Sequence, residues 1–217
     1  MISNDKGDIP MTEKKPAEMT IVTSEDIFRI LCNSVRSVLS SATNSAVTFS
    51  PMIQEVEKTC LKPDIGCFVL FGGDFTGLVV MNFTKEAAMD IYRGYLISMG
   101  MPEVEIASNY TADEVSSSLG ELMNQCIGRF RLDLERETSI YISQNQPKML
   151  VITEAVYIAI DAAIEKPQLR KISFRTANSN RFYLEASMGK IKFHSLFPFK
   201  KAKEFDVDDI MAAGQGQ

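Results

Sequence analysis

Residues 112–137 read ADEVSSSLGELMNQCIGRFRLDLERE, and the rest of the chain is best read outward from this stretch. Val115, Leu119, Leu122, Cys126 and Phe130 recur at steps of four, three, four and four, the spacing of one face of an α-helix. The spacing predicts the longest helix of the chain over about Ala112 to Glu137. A second stripe, Ser117, Glu121, Asn124 and Gly128, is displaced by two residues, or about 200° of helix turn, so it lies on the opposite, solvent-facing side. A hydroxyl, a carboxylate and a carboxamide thus stand side by side at i, i+4 and i+7. The glutamate and the asparagine, side by side with no nucleophile among them, suit work on another molecule's reactive group.

The flanking pattern is that of an α+β protein. Ile27, Ile30, Leu31, Val35 and Leu39 recur at helical spacing after Ser24, whose hydroxyl is placed to cap the free amides, with Glu25 and Asp26 favourable at the positive end of the helix dipole. Strand-like runs follow at Ala46–Phe49, Cys67–Phe71 and Gly77–Phe83, the last two joined by a hairpin turn at Gly72-Gly73-Asp74. Thr84–Met99 reads as a helix capped by Thr84 and stopped by Gly100. Beyond the long helix come runs at Ser139–Ser143, Met149–Thr153, Val156–Ile160, Lys171–Thr176 and Arg181–Ala186, with a hairpin around Asn178-Ser179-Asn180. Both halves open on a long helix bearing an asparagine, Asn33 and Asn124, which points to an old duplication.

Composition narrows the function classes. The 217 residues are 45% hydrophobic and 24% charged, as in a water-soluble globular domain. A net charge of −5 argues against a nucleic-acid groove, which needs a concentrated basic patch. No apolar run is long enough for a membrane span, and residues 1–18 lack the apolar stretch of a secretion signal, so the expected location is the cytoplasm. Cys32, Cys60, Cys67 and Cys126 show no C-x-x-C pairing and read as buried thiols in a reducing compartment. His194 is the only histidine and reads as a chance residue near the end of the last strand, so no histidine metal cluster can form. The expected organisation is a disordered leader over 1–23, a domain over 24–198 and a polar flexible tail over 199–217. Within that tail, Ala202–Ala213 has the makings of a short amphipathic helix.

One more residue extends the helix face. Pro147 follows Asn124 after a gap of 22 residues, giving Ser117-x3-Glu121-x2-Asn124-x22-Pro147. This pattern resembles the phosphatase signature of the CheC/CheX/FliY family of chemotaxis response-regulator phosphatases. The segment FTGLVVMNFTKEAAMDIYRGYL, Phe75–Leu96, is similar to that family's glycine-containing strand and following helix. The resemblance spans roughly residues 20 to 190. It implies a CheC-like fold of pseudo-duplicated helix-plus-strands halves, an antiparallel sheet with long helices packed on one face. It also implies hydrolysis of the aspartyl phosphate of a CheY-like receiver, with Asn124 orienting the attacking water, Glu121 pairing with the receiver's lysine, and Ser117 and Pro147 in support. The magnesium ion would belong to the receiver, and the chain would carry no cofactor of its own. A homodimer is implied by the same resemblance, and neither nucleic acid nor membrane is an expected partner.

The chain departs from the two-site members of that family. On the first helix the pattern is Asp26-x3-Ile30-x2-Asn33, and Val56 stands where a proline would follow. A single site is therefore expected, as in CheX-like members. The alternative is a non-catalytic module of the same fold that docks on a receiver or a motor component. Gly120 and Gly128 read either as packing gaps or, at Gly128, as a low surface where a partner loop can approach.

Overall fold

The computed structural model describes residues 20–154, 157–160, 164, 167–189 and 192–195, so the segments assigned to most of the leader and to the tail, including the 202–213 helix, lie outside it. Helices form close to where the spacing places them: α1 over Ser24–Thr43, α2 over Lys85–Ser98 and α3 over Asp113–Thr138. Thr84 caps α2 by accepting from the Ala87 N–H at 3.2 Å. The cap of α1 corrects the sequence reading by one residue. Thr23 is the N-cap: its hydroxyl accepts from the Asp26 N–H at 3.3 Å, and the Asp26 carboxylate accepts from the Thr23 N–H at 2.9 Å. This reciprocal box needs the acid three residues after the cap, and Asp26 stands at that distance from Thr23, not from Ser24.

The strands are β1 (Thr20–Thr23), β2 (Thr48–Phe49), β3 (Gln54–Glu55), β4 (Cys60–Leu61), β5 (Ile65–Gly73), β6 (Gly77–Phe83), β7 (Ile142–Gln144), β8 (Lys148–Val151), β9 (Ile158–Ala159), β10 (Gln168–Arg175), β11 (Arg181–Met188) and β12 (Lys192–Ser195). The main sheet runs β2-β10-β11-β6-β5-β7, with β3 also on β10 and β8 also on β5, and its described pairs are all antiparallel. The halves are exchanged across the sheet. The short strands after α1 pair with the hairpin of the second half, and the short strands after α3 pair with the hairpin of the first. This is the arrangement an approximate two-fold between β6 and β11 produces, and it agrees with the duplication read from Asn33 and Asn124.

The turn between β5 and β6 falls later than expected, because Gly72 and Gly73 still belong to β5. Gly73 has φ +144°, and a Cβ on it would lie 2.5 Å from the Tyr141 carbonyl oxygen. Glycine is required here so that the chain entering β7 can approach β5 closely. Asp74 completes the junction, donating its N–H to Tyr141 O at 3.0 Å and accepting the Tyr141 N–H on its carboxylate at 2.8 Å.

The helices pack on one face of the sheet, and α1 lies against α3. Val115, Leu119, Leu122, Cys126 and Phe130 are all buried in the main core, where the Phe130 ring meets Phe71 edge-on. Burial contributes about 1.5–3 kcal/mol for each large apolar side chain, which holds α3 in one rotational setting. Asp133 also falls on this buried side, where it accepts from Arg129 Nε at 2.8 Å and from Ser34 Oγ of α1 at 2.9 Å. The other face of the sheet carries a smaller cluster, Leu61, Leu78, Val80 and Ile152, covered by the paired strands β4 and β9. All four cysteines are buried and unpaired. Burial pushes the Cys67 thiol up to about 12, and Cys32 and Cys126 move in the same direction for the same reason.

Candidate functional site

The rotational setting of α3 decides what its other side offers. With the apolar stripe committed to the core, Ser117, Glu121 and Asn124 are all exposed on one face. Gln125 Nε2 donates to Glu121 Oε1 at 3.1 Å, which steadies the carboxylate without neutralising it. Among the described residues no lysine or arginine pairs with Glu121. It is therefore a carboxylate still able to take a cation from outside.

Pro147 comes to the same face through the edge of the sheet. Gln144 pairs with Phe71 of β5, and Lys148 pairs with Phe68, so residues 145, 146 and 147 stand opposite only 69 and 70. One strand thus carries an extra residue, a bulge. Proline has no N–H to give to a ladder, and in a bulge none is asked of it. The extra residue also changes which side chains point inward. Ile142 and Gln144 face the helices before it, and Met149 does so after it. Consequently the bulge is bracketed by two contacts with α3: Gln144 on Asn124 and Met149 against Gly120. A Cβ on Gly120 would meet Met149 Cγ at 3.3 Å, so this glycine is a packing gap. Gly128 is different, since nothing lies within 4 Å of a Cβ placed there. The helix surface is low and open one turn beyond Asn124.

Sequence reasoning missed Gln144. Its Nε2 donates to Asn124 Oδ1 at 2.9 Å and lies 3.5 Å from the Asn124 backbone oxygen. Gln144 Oε1 is buried without a hydrogen-bond partner among the described residues. The only sequence signal was its place three residues before Pro147, and the contact depends on the bulge.

The matching face of α1 is spent differently. Ile30, at the glutamate position, is 6% exposed and lies in the core, and Asn33 is half-buried. Asp26 is used in the capping box. One such face is offered outward, on α3. Among the described residues no group of three or more His, Cys, Asp or Glu side chains is placed to hold a metal ion, and no helix is long and apolar enough to cross a membrane.

The family described as protein of unknown function (DUF3334) matches residues 18–217. No curated protein matches the chain. Among solved structures, the chemotaxis protein CheX from Desulfovibrio desulfuricans is similar with a TM-score of 0.60 and 17% identity, covering 75% of this chain and 99% of that one. A CheC-like superfamily protein from Shewanella sp. PV-4 is similar with a TM-score of 0.61 and 16% identity, covering 75% and 97%. CheX in a CheX-CheY-BeF3-Mg+2 complex from Borrelia burgdorferi is similar with a TM-score of 0.56 and 11% identity, covering 76% and 98%. The fold is that of the CheC-like proteins, as the sequence pattern implied.

Proposed function

The chain belongs to the DUF3334 family and has a CheX-like fold, and we propose that it hydrolyses the aspartyl phosphate of a CheY-like receiver domain. The observation that carries this reading is the outward face of α3, where Glu121 and Asn124 stand exposed beside the Pro147 bulge. A structural neighbour solved as a complex with CheY supports a receiver as the partner.

An acyl phosphate is already activated, so the work left is to hold a water in line with phosphorus and keep charge balanced. Asn124 orients that water. A carboxamide hydrogen-bonds strongly yet carries no charge to repel the phosphoryl group. The water oxygen bonds to phosphorus while the bond from phosphorus to the aspartyl oxygen breaks. The products are the receiver's carboxylate and dihydrogen phosphate, which takes both hydrogens of the water. Glu121 pairs with a lysine of the receiver. At about 4 Å two unit charges are worth about 1 kcal/mol in water and about 4 kcal/mol at an effective dielectric near 20. A bare carboxylate beside a phosphoryl group would be repelled on that scale, so it must meet a cation. Ser117 and Pro147 support the face, and the magnesium belongs to the receiver. The short edge strands β2–β3 and β7–β8 are where a second copy would pair to form the implied homodimer, which sedimentation equilibrium would detect.

The experiment is loss of phosphoryl label from a panel of phosphorylated receivers. Acceleration over spontaneous loss by the wild type, abolished by Asn124→Ala and weakened by Glu121→Ala, is the expected result. A second reading, docking without turnover, is favoured by the loss of the equivalent face to Ile30 on α1. Binding that persists unchanged in Asn124→Ala with no accelerated loss of label would select it.

A further inference from the structure

Asn124 can present either end of its carboxamide to a partner, and the two ends do opposite work. One accepts a hydrogen bond and the other donates two. We infer that Gln144 is a positioning residue that fixes this choice, holding Asn124 Oδ1 inward so that Nδ2 is the end offered outward. The inference rests on the reading of Asn124 as the group that meets the attacking water.

The backbone oxygen of Asn124 cannot turn over as a side-chain amide can. The Asn124 backbone oxygen lies 3.5 Å from one end of the Gln144 amide, and a carbonyl oxygen repels another oxygen while attracting N–H. That end of Gln144 is therefore Nε2. Burial of the other end agrees, because a buried carbonyl oxygen left without a partner is tolerated better than a buried NH2 group. Once Nε2 is fixed, the Asn124 side-chain atom 2.9 Å from it must be the acceptor, Oδ1. The amide is planar, so Nδ2 is directed away from Gln144. Gln144 is itself held by its place in the ladder opposite Phe71 and by the Asn145 N–H bond to Leu70 O at 2.9 Å.

The consequence is chemical. A site built this way offers N–H donors, and the partner's water oxygen accepts from Nδ2. The water keeps its second lone pair for phosphorus, and its hydrogens are free to turn toward acceptors on the phosphoryl group. An asparagine free to rotate would present the wrong end for part of the time, and the encounter would be unproductive. Gln144 thus acts on turnover and leaves docking alone.

Two substitutions separate the possibilities. Gln144→Leu keeps bulk and removes the donor. Gln144→Glu offers only acceptors, so it recruits Asn124 Nδ2 inward and turns the amide over. Each is compared with wild type and Asn124→Ala on a receiver phosphorylated with acetyl phosphate, and each is examined by nitrogen-15 NMR of the side-chain amides. The Asn124 signal is assigned by its absence in Asn124→Ala. Both Gln144 variants are expected to lower kcat at least about tenfold with KM within about twofold of wild type. The Asn124 amide protons are expected to shift and to approach free-amide values in Gln144→Leu. An Asn124 signal unchanged in both variants, or kcat unchanged while Asn124→Ala is inactive, overturns the positioning role and leaves the phosphatase reading standing. If Asn124→Ala turns over normally, the phosphatase role of Asn124 falls, and the NMR shift still decides whether Gln144 sets its amide.

Discussion

Glu121 and Ile30 hold corresponding positions on α3 and α1, yet the fold uses them in opposite ways, displaying one and burying the other. Asn124 is exposed but accepts from Gln144, so Asn124→Ala should cost no more than about 1.5 kcal/mol, the net worth of one hydrogen bond. Ile30 lies in the core between α1 and its neighbours, and Ile30→Ala should cost about 2–5 kcal/mol through lost burial and the cavity left behind. Urea denaturation of the two variants checks both values. A large loss in Asn124→Ala would mean the side chain holds the fold together and is not simply displayed. Ser117, Glu121 and Asn124 were legible because helical periodicity fixes which residues share a face. Gln144 was not legible, because its contact depends on a strand register that one extra residue resets.

On the scale of elements, α3 is the clearest case of sequence dictating structure. Its apolar stripe, its limits and its outward face all follow from spacing, and the structure places each of them within a residue or two. Its two glycines were left open between packing and docking, and the structure divides them. Gly120 makes room for Met149, whereas Gly128 faces open space. Gly128→Ala should therefore stabilise the protein by up to about 1 kcal/mol, since alanine is the better helix former and meets nothing. Gly120→Ala should gain less, because its Cβ presses on Met149. Thermal unfolding of the two variants compares them directly, and an equal gain would show that the Met149 contact yields freely. The expected runs at Ala46–Phe49 and Val156–Ile160 contain β2 and β9, whereas β3 and β4 were not read from the sequence. Runs of two residues carry no periodicity; β3 is placed by pairing with β10 and β4 by pairing with β9.

At the scale of the whole molecule, two exchanged halves enclose one main core that holds Cys32, Cys67 and Cys126, and Cys60 is buried on β4. With Ellman's reagent near pH 8, the native protein should react at essentially none of its thiols, and all four should react once denatured. Fast reaction of a thiol in the native state would mean that the helix layer opens locally. The buried thiols also set a pH dependence. Cys67 has an ordinary value of 9.0 and is raised to about 12 when folded, so above pH 9 the unfolded chain loses a proton that the folded one keeps. Its stabilising contribution is complete below pH 9 and is lost as pH rises toward 12, so urea midpoints should fall between pH 8 and pH 10. Midpoints that rise over this interval would contradict burial of these groups. The same enclosure is what allows α3 to turn a fixed polar face outward, and the proposed reaction depends on that face. The most direct measurement is the rate at which phosphorylated CheY-like receivers lose phosphoryl label, alone, with the wild-type protein and with Asn124→Ala. At least one receiver is expected to lose label faster with the wild type and at its spontaneous rate with the variant. Spontaneous rates throughout, or equal acceleration by both proteins, would contradict a catalytic role for the α3 face.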